Sequence, residues 1–173
     1  VSTQALMNPL LGPLGLQLMH SGTPSQQVIH DLLQTDAGSA QRQVHVLPLH
    51  GEAAAHTGES CIDWCGHVSG QDFSIAGNIL AGPQVLGETA RVFQATAGMP
   101  LAERLILAMQ AGEDAGGDKR GKQSAALRIH ADEDYLQLDL RVDDHEDPLL
   151  ELQRLYDKSL ERFQPFLSCL PGR

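Results

Sequence analysis

The sequence predicts an α+β fold in which antiparallel sheets are stacked and covered by helix pairs. Two observations carry this. Apolar residues recur at helical spacing in some stretches and alternate every second residue in others. The stretches follow the order αα–ββββ–αα–ββ–α, with short connections that suit antiparallel pairing rather than parallel crossovers. Strands that alternate have one face on a core. Two sheets face to face, with helix pairs on both outer surfaces, bury every stripe, which makes a four-layer αββα sandwich.

The first helix is predicted over residues 10–19, apolar at Leu11, Leu14, Leu18 and Met19, and Gly22 closes it. A second begins at once: Thr23 is a good N-cap, Pro24 fits the first helical position, and Gln26 stands where a capping box wants it. Val28, Ile29, Leu32 and Leu33 form its buried face, and residues 36–38 end it. A strand over residues 42–49 puts Val44, Val46 and Pro48 on one side, and Gln43, His45 and Leu47 on the other. His50, Gly51 and Glu52 turn the chain, and residues 53–57 run back to a break at Gly58. Residues 64–68 and 73–78 complete a four-strand antiparallel stretch. Helices are expected over residues 83–97, with Val85, Leu86, Ala90, Phe93 and Ala97 inward, and from Pro100, with a stripe of Leu101, Leu105, Ala108 and Met109. After a glycine-rich charged loop come strands at 124–130 and 135–142. Asp147 and Pro148 then start a helix with a stripe of Leu149, Leu152, Tyr156, Leu160 and Phe163, and the tail at 166–173 reads as irregular.

Length and composition suit one domain, residues 1–173, with 42% hydrophobic and 20% charged residues marking an ordered globular chain. The net charge of −10 argues against nucleic acid or an anionic membrane as a partner. No apolar run approaches the roughly 18–20 residues a membrane span needs. The opening has no basic start and is broken by Pro9, Gly12 and Pro13, unlike a signal peptide. Three cysteines, Cys61, Cys65 and Cys169, without a secretion signal fit a reducing compartment, so a cytoplasmic location is expected. Cys61 and Cys65 have no second pair to make a zinc site and are expected as two buried thiols that never meet. The absence of an initiator Met reads as a front that is cut, processed or incomplete.

The strings HTGESCIDWCGH, FSIAGNILAG, PLAERLILAMQAGEDAGGDKRGKQSAAL and YLQLDLRVDDHEDPLLELQRLYD, in that order, resemble a bacterial family of unknown function, DUF1028. The front, VSTQALMNPLLGPLGLQLM, resembles that family's segment after its opening strands, so the likeness covers nearly the whole chain. It implies the N-terminal-nucleophile (Ntn) hydrolase fold, a four-layer αββα sandwich, with the first two strands missing from this chain. It also implies amide-bond hydrolysis by a Thr, Ser or Cys at the start of the first strand, whose α-amine serves as base. That residue would come from an N-terminal segment or companion chain that completes the sheet, and a homo-oligomer is expected. A non-catalytic binding or assembly subunit on the same scaffold is the alternative. Val1 has no nucleophilic atom; Ser2 or Thr3 would need further trimming, and both also fit an ordinary strand leading into the first helix. Thr3 is kept as a catalytic candidate.

The loop GGDKRGKQS holds Gly116, Gly121 and Lys122 at the spacing of a P-loop, but Gln123 follows where Ser or Thr is needed. Helix precedes and strand follows, the reverse of a P-loop, so nucleotide binding is rejected. The resemblance implies that Asp118 and Ser124 orient the nucleophile's amine. Arg120 suits bidentate pairing with a substrate carboxylate, beside Gln123; an Asp118–Arg120 pair that only pins the loop fits equally well. Asn78, after Gly77, can supply an oxyanion donor, or it can cap a turn. His56 and Thr57 are substrate-contact candidates, against a packed, hydrogen-bonded histidine. The run DLRVDDHEDP could hold a metal through Asp139, Asp143, Asp144 and His145, but an Arg141 ion pair and an Asp147 helix cap explain it better. No metal or cofactor is expected.

Overall fold

The computed structural model describes residues 1–171. It is a mixed α/β fold of antiparallel sheets with six α-helices among those residues. None of the helices is long and apolar enough to cross a membrane.

The first helix pair is α1 (Leu11–His20) and α2 (Ser25–Gln34). Gly22, at φ 85°, ends α1. Its N–H reaches the Met19 carbonyl and the Thr23 N–H reaches that of Leu18. This left-handed closure is open to glycine without steric penalty. It also displaces the expected cap of α2. Thr23 is spent on closing α1, its hydroxyl lies 3.3 Å from that of Ser21, and Pro24 takes the N-cap position. Val28, Ile29 and Leu32 are buried as expected.

A strand β1 (Ser2–Ala5) pairs with β2 (Arg42–Val46), and β2 pairs with β3 (Ala54–Thr57), all antiparallel. The register sets the faces. Thr3, Val44 and His56 lie in one row, and Gln4, Gln43 and Thr57 in the next. Residues directly opposite share a face of the sheet. Val44, Val46 and Ala54 therefore join Leu11, Val28, Ile29 and Leu32 in a core under α1 and α2. The other face is not solvated: Gln43 is as buried as the valines, and His45 is nearly so.

What they face is a second, two-stranded sheet, β4 (Trp64–Ser69) with β5 (Ser74–Leu80). The four-strand stretch expected from the sequence is thus divided between two sheets. Gly58 explains the division. A Cβ there would stand 2.2 Å from the Ala40 carbonyl oxygen, and Ser60 N–H bonds to that same carbonyl. The chain folds back over the start of β2 and leaves the plane of the first sheet.

The second helix pair, α3 (Pro83–Ala95) and α4 (Leu101–Asp114), packs on β4 and β5 through α3. Then β6 (Ala125–His130) and β7 (Leu136–Val142) form a hairpin under α4 and α5 (Pro148–Glu161). Ala102, Ile106, Leu127, Ile129, Leu138, Val142, Leu152 and Tyr156 make this core. Asp147 caps α5 by accepting the Leu150 N–H. Part of the tail read as irregular is a short helix, α6 (Phe163–Leu167); Gly172 and Arg173 lie outside the described residues.

One expectation about α4 is corrected. Its deeply buried positions are Ala102, Ile106 and Ala108, whereas Leu101 is exposed and Leu105 and Met109 are half-buried. The helix carries two apolar faces, and only one is fully covered. Ala97, expected inward, is exposed beyond the end of α3.

Leu152 is fully buried in the second core, so Leu152→Ala is expected to lower the unfolding free energy by roughly 3 kcal/mol. A urea melt of the variant measures this as a lower midpoint with an unchanged slope.

Candidate functional site

The glycine-rich loop is built from backbone bonds before any side chain acts. Gly116 and Gly117 close α4 by donating to the carbonyls of Glu113 and Gly112. Both have positive φ, and a Cβ on Gly116 would come within 2.7 Å of the Ala81 side chain. The loop then runs beside the end of β5. Ala81 N–H bonds to Gly117 O, Lys119 N–H bonds to Ile79 O, and Leu80 bridges Asp118. Asp118 is thereby fixed at the C-terminal end of β5.

Its carboxylate is paired with Arg120. Oδ1 accepts from the Arg120 backbone N–H at 2.8 Å and from Nε at 3.0 Å, and Oδ2 accepts from Nη2 at 2.6 Å. The guanidinium holds the Asp118 carboxyl below the usual carboxylate range. The loop-pinning pair is therefore present, and Arg120's fork is turned on Asp118. Lys122 lies between Glu113 at 3.6 Å and Asp147 at 3.3 Å. Ser124 is exposed at the mouth of β6. Gln123 donates to Asp144 at 3.0 Å, and its carbonyl takes the His145 N–H. Asp118, Arg120, Lys122, Gln123 and Ser124 share one cleft of about 660 Å³. Two carboxylates, Asp118 and Glu113, two cations paired with them, and the Ser124 hydroxyl surround one space, a set that can orient an amine.

The other candidates lie elsewhere. Asn78 does not end its strand, since β5 continues to Leu80. Its Nδ2 donates to Gln43 Oε1 at 3.1 Å, so that donor is occupied. Thr57 accepts from Gln43 Nε2 at 3.1 Å and lies 2.9 Å from His67 Nδ1. His56 points the other way, with Nε2 3.0 Å from Ser39 O, as a packed, hydrogen-bonded histidine. Thr3 shares the Val44 row on the face toward α1 and α2, and its buried hydroxyl has no partner. The acids of DLRVDDHEDP are taken up locally: Arg141 pairs with Asp143, Asp144 with Gln123, and Asp147 caps α5.

Sequence reading missed the polar centre between the two sheets. Gln43 is fully buried; the two N–H bonds of its Nε2 are shared among Thr57 Oγ1, Gly66 O at 3.0 Å and Gly77 O at 2.9 Å, and its Oε1 accepts from Gln4 and Asn78. His45, two residues on, has Nδ1 2.6 Å from Ser74 Oγ. His67 stands edge-on to His45, ring centres 6.5 Å apart. Burial, then the nearby His67, lowers the His45 pKa to about 4. The signal was in the alternation: Gln43 and His45 form a strand face turned to a facing sheet, but strands 64–68 and 73–78, which supply that sheet, were read as one antiparallel stretch with strand 42–49.

A groove of about 570 Å³ opens above this centre. It is lined by Ser2, Gln4 and His45, by the start of β5, and by Phe93 with Leu101, Leu105, Ala108 and Met109 of α4. Met109 lines both this groove and the Asp118 cleft.

The model of a family of unknown function, DUF1028, matches residues 1–152. A crystal structure of a DUF1028 protein from Silicibacter pomeroyi is similar at 31% identity and a TM-score of 0.83. The match covers 92% of this chain and 70% of that one. No curated protein matches.

Two outcomes follow from the polar centre. Gln43→Leu strands two carbonyls and two amides, and is expected to cost roughly 2–4 kcal/mol in a urea melt. The second concerns pH. The folded His45 pKa is depressed from 6.5 to about 4, so its contribution is complete above pH 6.5 and is lost as pH falls toward 4. Thermal melts from pH 7 to 4 should show this fall, and His45→Gln should flatten it.

Proposed function

Because the chain belongs to DUF1028, a family of unknown function, its chemistry has to be read from its own geometry, and we propose that it is the main body of an Ntn-type amide-bond hydrolase. In this reading the four-layer αββα sandwich is completed by strands from outside residues 1–173, an N-terminal segment or a companion chain. One observation carries the proposal. Ser74, Ile75 and Ala76 at the start of β5 and Leu101, Leu105, Ala108 and Met109 of α4 line the groove, and β5 ends at the Asp118 corner. A strand laid on β5 covers that stripe and brings one of its ends to Asp118.

The chemistry at that end needs little more. The incoming terminal Thr, Ser or Cys transfers its side-chain proton to its own α-amine and attacks the amide carbonyl carbon; the C–N bond then breaks as the α-ammonium gives that proton to the leaving amine, and water hydrolyses the resulting ester or thioester. Asp118, kept ionised by Arg120, accepts a hydrogen bond from the amine, and the Ser124 hydroxyl fixes its direction. Arg120, Lys122 and Gln123 form a rim for the polar end of a small-molecule or peptide-like substrate. Thr57 and Asn78 act at a distance, by holding Gln43 and so the seating of β5.

A second reading, a non-catalytic assembly subunit, has its own support. The Arg120 fork is already filled by Asp118. Leu6, Met7 and Leu10 lie exposed at the front of α1, a surface suited to a homo-oligomer.

The test uses the full-length gene product that contains this chain. Intact mass and N-terminal sequencing identify every polypeptide, and a β-lactone probe marks a reactive terminal nucleophile. The hydrolase reading expects an adduct on a terminal Thr, Ser or Cys and turnover of N-acyl p-nitroanilides. Asp118→Asn should lower kcat by about 100-fold, with KM nearly unchanged and the fold intact by circular dichroism. Neither adduct nor turnover, with a stable oligomer in sedimentation, would leave the assembly subunit.

A further inference from the structure

Two cysteines outside the cleft and the groove are not the separate buried thiols that the sequence suggests. Cys61 and Cys65 are both half-buried. Cys61 follows the turn at Gly58, and its N–H bonds to the Gly58 carbonyl. Its Sγ donates to Arg42 O at 3.6 Å. Cys65 lies in β4, and its Sγ reaches back to Cys61 O at 4.0 Å. The two sulfurs are themselves hydrogen-bonding neighbours, and burial, then the Cys65 sulfur, pushes the Cys61 thiol up.

The backbone brings the pair together. Between the partners Trp64–Leu80 and Gly66–Gly77, Cys65 alone stands opposite Asn78 and Ile79. That two-against-one count is a bulge, and a bulge re-aims the side chains around it. Asp63, at φ 55°, bends the chain just before β4, so the Cys65 thiol doubles back onto Cys61. The residues between the cysteines, 62–64, make two contacts with the Asp118 corner. Ile62 O accepts the Ile79 N–H at 3.1 Å, and Asp63 pairs with Lys119 at 3.8 Å. The Lys119 N–H in turn bonds to Ile79 O. The chain that joins the thiols therefore also holds the residue next to Asp118.

We propose that Cys61 and Cys65 are a dithiol site that a small disulfide of the glutathione type oxidises reversibly, and that its closure loosens Ile79 and Lys119 at the Asp118 corner. The exchange balances in two steps. One cysteine gives its proton to water, and the thiolate attacks a sulfur of the small disulfide, releasing one reagent thiolate. The other cysteine, deprotonated in turn, attacks the protein's own sulfur in the mixed disulfide and releases the second. The protein loses two protons and two electrons, and the reagent gains them as two thiols. Closure removes both S–H donors, so Arg42 O and Cys61 O lose their sulfur partners. It also turns a contact between sulfurs into a bond, and the contraction falls on residues 62–64. Ile79, already at φ 57°, is the part of the bulge that yields. The site stands whether or not the corner hydrolyses amides.

The test equilibrates the full-length polypeptide in buffers of graded reduced-to-oxidised glutathione ratio and blocks free thiols with iodoacetamide. Mass mapping follows the tryptic peptide from Gln43 to Arg91, which holds both cysteines. In the oxidising buffers this peptide should lack two hydrogens and carry no label, and reduction should restore both labels. Cys61→Ser and Cys65→Ser should each abolish closure and leave a glutathione adduct on the remaining thiol. Hydrogen exchange on the wild type then reads the corner. The Ile79 and Lys119 amides should exchange about tenfold faster in the oxidised protein, with those of Leu127 and Leu138 unchanged as reporters of the intact fold. Both thiols labelled at the most oxidising ratio, or an adduct on one cysteine of the wild type without closure, overturns the site. Closure with the Ile79 and Lys119 amides unchanged overturns its link to the corner, as does faster exchange that extends to Leu127 and Leu138.

Discussion

Everything near the candidate site depends on a buried amide having all its bonds made. Gln43 sits between two sheets where no water reaches it. Each of its polar atoms must find protein, because an unmatched one costs as much as a good hydrogen bond returns. It does so by reaching two carbonyls on the β4–β5 hairpin and taking two side-chain amides in return. An apolar residue would pack the sheets together but leave their sliding open. The amide fixes the register between them, since a shift of one residue turns every partner away.

The same logic runs outward from that rivet to the cleft. With β5 placed by Gln43, its far end is placed too, and the glycine loop pairs with that end through backbone bonds. Asp118 is then held by the fold, and Arg120 compensates its charge. Ile79 adopts φ 57°, an uncommon conformation for a β-branched residue. Its carbonyl takes the Lys119 N–H and its N–H meets Ile62 O. The strained residue thus joins three segments at the corner where chemistry is proposed, a common place for such strain.

Most elements were legible because their signals are local. Gly22, Pro83 and Asp147 punctuate helices by rules that involve only near neighbours, and the structure keeps them. The Asp118–Arg120 pair was legible for the same reason, being two residues apart. What failed needed distant partners. Thr23 has the chemistry of a cap, but the closure of α1 claimed it first. The strand read over 42–49 was placed in one antiparallel stretch with 64–78, and only the folding of β4 and β5 onto its other face shows why Gln43 and His45 are inside. Asn78 and Thr57 read as groups free to meet a substrate because their partner, Gln43, is more than a dozen residues away from each.

The α4 stripe shows how a correct sequence reading and an exposed surface can both hold. Leu101, Leu105, Ala108 and Met109 have the spacing of a buried face, and Ala102 and Ile106 have that of another. A surface helix needs one apolar face, so two imply layers on both sides. One layer is present, the hairpin β6–β7 with α5. The other side meets the groove, which is also lined by a buried histidine with an unmatched nitrogen. Apolar stripe and lone polar atom are two different kinds of incompleteness, with two different energetic origins.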